Sequence, residues 1–286
     1  MSNWYTFAVL ALFLMGIQRF LYKVSAERNC NTAWTTFSFM ATVSVLSSVL
    51  FFVLRESVAN IQLLLFIALL NSGTFLVATT THIEALKYIP ASVVYPIIRL
   101  NAVIVVIFSI LYFKDHLSVC QVIGIFLAIS TIAILTRQFD DERIAYNNSK
   151  RGLILVFISA LAGSIATISS KFAALYTNKM AFIAVSYIGA TLFSFGLRKR
   201  LQTEEVNENH RDAFIIGIVM GLINFGGFYS FLKALSKGPL SIIALIAGMH
   251  FVIAVVLSVL IYKEKLTQAR LTGISLAITS VILLGL

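Results

Sequence analysis

Ten apolar windows follow one another along this chain, at residues 4–22, 33–54, 60–86, 90–113, 117–136, 152–173, 179–198, 212–235, 239–262 and 266–286. Each is close to the ~20 residues an α-helix needs to cross a hydrocarbon layer about 30 Å thick. Backbone polar groups in that layer must bond within their own segment. Continuous apolar runs of this length therefore read as helices, and the alternation of a membrane β-barrel is absent. Composition agrees: only 12% of the 286 residues are charged and 59% are apolar, against ~25% charged in a typical soluble domain. The expectation is an all-α integral membrane protein with ten transmembrane helices, multi-pass in the cell (inner or plasma) membrane, with the lipid bilayer as its first partner. The first window lacks a basic segment ahead of it and a small-residue cleavage site after it, so it reads as a retained span.

The net charge of +10 would suit a nucleic-acid binder. The basic residues, however, stand singly in the links between spans, where they act as topology signals, and no nucleic-acid partner is expected. Cys30 and Cys120 fall in different segments with no metal spacing. No cofactor or metal site is read from the sequence.

An internal repeat narrows the architecture further. The block EALKYIPASVVYPIIRLNAVIVVIFSILYFKDHLSVCQVIGIFLAI (84–129) aligns without a gap on KALSKGPLSIIALIAGMHFVIAVVLSVLIYKEKLTQARLTGISLAI (233–278). Pro90 meets Pro239, Ser92 meets Ser241 and Ser109 meets Ser258. Lys114 meets Lys263, Asp115 meets Glu264, and Gly124 meets Gly273. Apolar helices share apolar letters by default, but they do not share a proline, a lysine–acid turn and a glycine in register. The chain divides into a first five-helix repeat (1–136), a polar connector (137–151) and a second five-helix repeat (152–286). Five is odd, so the second repeat enters the membrane from the opposite side, and the two halves form an inverted-topology pair. Secondary transporters are often built this way, with the substrate site near the midplane between the halves.

The residues that carry the repeat also carry a resemblance. EALKYIPAS, the KDHLS turn and QVIGIFLAIS, repeated as KALSKGPLS, KEKLT and ARLTGISLAI, resemble the EamA-type transporters of the drug/metabolite transporter superfamily. Lys23 in YKVSA and Lys171 in SKFAA, near the ends of spans 1 and 6, look like that family too. The resemblance covers nearly the whole chain. It implies a central cavity lined by spans 1, 3, 4, 6, 8 and 9, with spans 5 and 10 at the periphery. It also implies movement of amino acids, sugars, nucleobases, drugs or related metabolites, often outward. It implies termini inside the cell. The Lys and Arg count points the other way, because Lys23, Arg28, Arg137, Arg151 and most other link cations follow spans 1, 3, 5, 7 and 9.

The candidate site is read from polar residues within the spans. In span 4, Arg99 stands near mid-depth, where a charge costs at least ~2.5 kcal/mol. Pro96 denies the carbonyl of Ser92 its helical partner, so a kink or break is expected there. Tyr95, Arg99 and Asn101 are read as substrate-binding, with Arg99 attracting an anionic group. Arg99 aligns with Gly248, and Asn101 with His250, so the cavity is asymmetric in charge. Asn71, Asn224, Tyr229, Gln18 and His250 complete the candidate substrate-binding set, and His250 and Glu84 are the proton-coupling candidates. Arg19 is within a turn of the end of span 1 and is expected to snorkel to the interface.

A P-loop, HExxH, a CxxC pair and G-x-S-x-G are all absent. The chain is therefore read as a secondary active transporter of small polar metabolites, such as amino acids or related organic anions, working by alternating access and not as an enzyme. The alternatives are a membrane-embedded lipid-modifying enzyme, which needs a converging acid/base or metal cluster, and a passive channel, which needs a polar stripe along several helices. A homodimer is left open.

Overall fold

The computed structural model describes the backbone of residues 3–28, 30–85, 88, 91–136, 149–201, 209–263 and 268–286. Among these the fold is all-helical. The helices are α1 (Asn3–Glu27), α2 (Thr32–Val53), α3 (Ile61–Ala85), α4 (Ala91–Phe108), α5 (Val119–Thr136) and α6 (Ser149–Tyr176). They continue with α7 (Lys179–Leu201), α8 (His210–Leu235), α9 (Leu240–Gly248), α10 (His250–Tyr262) and α11 (Gln268–Leu284). A π-helical turn, Ser109–Phe113, extends α4.

Among the described residues, six stretches are long and apolar enough to cross a membrane: Asn3–Ser25, Trp34–Val53, Ile61–His82, Lys150–Tyr176, His210–Leu235 and Leu240–Tyr262. Four further apolar helices are shorter. Phe13, Phe66, Leu69, Phe126 and Leu222 lie exposed on the outside, an apolar surface that fits lipid rather than water.

The packing repeats with the sequence. α1 lies on α8, as α3 lies on α6; α2 lies on α8, as α7 lies on α3; α1 lies on α10, as α6 lies on α4. The pairs α2–α7 and α5–α11 face their own counterparts. Exchanging the two halves leaves this pattern unchanged. Close approach of α2 and α8 depends on Gly217 and Gly221, four apart on one face of α8. A Cβ at Gly217 would stand 2.6 Å from the Thr35 carbonyl oxygen, and one at Gly221 would stand 2.9 Å from that of Phe39. Small residues at this spacing let two helix backbones meet.

Side-chain contacts fix which links share an end of the bundle. At one end, the Tyr5 hydroxyl of α1 donates to the Val281 carbonyl of α11 (2.9 Å), and Asn178 donates to Glu56 (2.6 Å). At the other end, Arg28 pairs with Asp212 (3.3 Å), Arg151 lies over the Tyr88 ring, and Phe20 meets Tyr262. α1 thus starts at the first end, whereas its counterpart α6 starts at the second.

Candidate functional site

The segment read from sequence as one continuous ninth span is broken. α9 ends at Gly248, Met249 takes φ −79° and ψ 5°, and α10 begins at His250. The backbone at Pro96, where the sequence leads one to expect the interruption, stays helical from Ala91 to Phe108. Gly248 aligns with Arg99, so the break occupies the equivalent place in the other half. A Cβ built on Gly248 would meet nothing within 4 Å, so space lies beside the break.

Breaking a helix frees carbonyls, and His250 takes one of them. Its Nδ1 lies 2.7 Å from the Ala247 carbonyl oxygen, while Arg19 Nε lies 3.2 Å from its Nε2. A carbonyl accepts and a guanidinium N–H donates. The tautomer with the proton on Nδ1 and the acceptor at Nε2 suits both contacts. In that tautomer His250 bridges the Ala247 carbonyl and Arg19, and so ties α1 to the helix break.

Beside this pair runs an uncharged chain of hydrogen bonds through three helices. The Tyr187 hydroxyl donates to Asn224 Oδ1 (2.7 Å), Asn224 Nδ2 donates to Gln18 Oε1 (3.0 Å), and Gln18 Nε2 donates to the Tyr22 hydroxyl (3.4 Å). Gln18 and Asn224 are both buried. Each group in the chain has a partner, as a polar seam within an apolar bundle requires.

The inner faces of the helices change character along their length. On α1, Ala8, Ala11 and Leu12 are fully or nearly fully buried. Arg19 continues the stripe of Ala8 and Leu12, and Tyr22 continues that of Ala11 and Gln18, at helical spacings of three, four and seven. Both Arg19 and Tyr22 are nevertheless exposed. On α3, Leu64, Ala68 and Asn71 are buried, whereas Phe75 and Thr79 on the same side are exposed. α1 and α3 both run toward the second end, where Ser25 and Ala85 on these stripes are buried again, so the exposed inner positions lie partway along the helices, beyond a buried first end.

The other sequence candidates fall at different places. The side chains of Tyr95 and Arg99 lie outside the described residues. Asn101 approaches α6, where its Nδ2 would stand 3.3 Å from a Cβ at Gly163 and its carbonyl accepts from Ser164 (3.3 Å). Asn71 spends its amide on α6, where its two N–H groups are shared among the Ala166 carbonyl (2.6 Å), Ser169 Oγ (2.9 Å) and Ser170 Oγ (3.0 Å). Tyr229 stacks on Phe225 with Lys233 nearby. Glu84 accepts from the Tyr88 hydroxyl (3.2 Å). Arg19, expected to reach outward, instead stands on His250. Sequence reading also missed Tyr187, whose only signal was a tyrosine within an apolar span.

Among the described residues no group of three His, Cys, Asp or Glu side chains is placed to hold a metal. Long apolar helices packed as two related halves are the architecture of an integral multi-pass membrane protein. The model of the EamA-like transporter family matches residues 2–137 and 150–286, and the chain belongs to that family, within the drug/metabolite transporter superfamily. No curated protein matches. A solved structure titled "Crystal structure of protein" superposes with a TM-score of 0.80, covering 100% of this chain and 99% of its own at 12% identity, a likeness of fold alone.

Proposed function

We propose that the chain is a secondary transporter with ten membrane spans, α9 and α10 forming one broken span, and that it moves small polar metabolites, organic anions among them, by alternating access. The observation that carries this reading is the contrast along α1 and α3, whose inner faces are buried at the first end and exposed further along at Arg19, Tyr22, Phe75 and Thr79, together with the helix break after Gly248. Rocking one half against the other would exchange which end is dry. In this reading Arg19 and His250 face the solute, the buried Gln18–Asn224 bond backs them, and Tyr95, Arg99 and Asn101 are the further candidates carried on α4. Export is the direction the family suggests.

The test is a comparison of metabolites inside and outside cells with and without the protein. Solutes that change are then loaded into proteoliposomes carrying the purified chain. Flux of at least one small polar solute above protein-free vesicles supports the reading. Flux of none, or flux that never saturates with concentration, overturns it, the latter in favour of a channel.

A further inference from the structure

At this dry first end, two charged side chains hold the corner between α8 and α9. Lys171, on α6, is buried, and its Nζ donates to the carbonyls of Leu235 (2.6 Å) and Gly238 (2.8 Å), where α8 finishes. Asp115 comes from the link between α4 and α5, behind the π-turn and the left-handed Lys114 (φ 54°). Its carboxylate accepts from the Ser241 backbone N–H (3.2 Å) and the Ser241 hydroxyl (2.8 Å), and it also takes the hydroxyl of Ser109. Ser241 lies in the first turn of α9. A cation thus caps the carbonyl end of one helix and an anion the amide end of the next, each complementing the helix dipole.

Asp115 and Ser109 belong to the first repeat, whereas Ser241, Lys171 and the α8–α9 corner belong to the second. The contact therefore joins the two repeats, and it does so at the end where the bundle is buried. Leu235, Leu240 and Ile243 around it are fully buried. A permanent seam in such a place is served at least as well by apolar packing as by buried charge. Charged hydrogen bonds can instead be exchanged for water when the seam parts.

The corner recurs in the other half. Lys263, the counterpart of Lys114, is also left-handed (φ 53°). Lys171 lies 5.5 Å from the Phe113 ring centroid, and Lys23 lies 5.1 Å from that of Tyr262, the residue aligned with Phe113. Glu264, aligned with Asp115, lies outside the described residues.

The geometry points to a gate: the Asp115–Ser241 contact, braced by Lys171, latches the two repeats together at the dry end and parts when that end opens. The corner around Lys23 and Tyr262 serves the second end in the same way when that end closes. The inference rests on the alternating-access reading above, but it is read out without substrate.

The test uses the full-length protein with Cys30 and Cys120 replaced by Ser and a reporter at Ile243→Cys, labelled in detergent with a small water-soluble thiol reagent. Asp115→Asn is expected to raise the labelling rate at least about tenfold, and Ser241→Ala by a smaller factor that holds even if Asp115→Asn fails to fold. Lys23→Met is expected to lower the rate or leave it unchanged, because it weakens the opposite corner. No rise with either latch variant overturns the gate and leaves the transport reading standing. An equal rise with Lys23→Met shows general loosening and also overturns it. The expected pattern in a chain that moves no solute keeps the gate and removes the transport reading.

Discussion

The Nε–H of Arg19 meets Nε2 of His250 at 3.2 Å, joining the first helix to the helix break across 231 positions of sequence. The histidine can accept this bond only while neutral, because its other nitrogen already faces the Ala247 carbonyl at 2.7 Å.

Hydrogen bonds to charged groups contribute about 1.5–3 kcal/mol each. Arg19→Ala, or His250→Ala, which releases the guanidinium, is therefore expected to cut saturable flux of an anionic solute roughly tenfold or more. Arg19→Lys is expected to recover little, since a lysine cannot keep the planar fork. Proteoliposome uptake with each variant checks both statements, and undiminished flux in Arg19→Ala removes Arg19 from the site.

Asn224→Ala strands two buried partners, the Tyr187 hydroxyl and the Gln18 carbonyl. An unpartnered buried group costs about 1–3 kcal/mol, so the midpoint of thermal unfolding in detergent is expected to fall. The same midpoint in Gln18→Ala is expected to fall by less than additively in the double variant, because the two residues share one bond.

The glycines separate by what surrounds them. Gly221→Ala would drive a methyl into Thr42 and the Phe39 carbonyl, so separation of α2 from α8 and loss of monodisperse protein are expected. Gly73→Ala meets nothing within 4 Å. It is expected to leave the fold intact and to stabilise α3 by about 0.5–1 kcal/mol through helix propensity. Size-exclusion profiles and melting curves distinguish the two outcomes.

Arg28 and Asp212 form a solvent-reachable ion pair at the second end, with side chains 58% and 32% exposed. Surface pairs of this kind contribute about 0–1 kcal/mol. Arg28→Ala is expected to change the melting midpoint little, and a large drop would mean that this contact holds the second end together.

Several features were legible without the fold. The apolar windows sit where the helices are, because a bilayer-sized run of apolar residues is a local property. The repeat is legible because its proline, lysine–acid turn and glycine stay in register over two long blocks, and the left-handed backbone at both Lys114 and Lys263 follows that register. The polar candidates inside the spans were visible as residue types: Gln18, Asn71, Asn224 and His250 all make specific contacts.

What those residues do with their polarity was settled only by helix pairing. Asn71 and Asn224 look alike in sequence, yet the amide of one is spent holding α3 to α6, and the other joins a chain beside the helix break. Arg19 has the spacing of an interfacial anchor, but α10 lies against its face of α1. The interruption falls at Met249 in the second half, not at Pro96 in the first. The physical reason is common to all three. A helix that is apolar all round carries almost no amphipathic signal, so its sequence fixes its length and its place in the bilayer but not which side turns inward. Packing across the two repeats makes that choice. With it come the partner of every buried polar group and the contact of Asp115 with Ser241, 126 positions away.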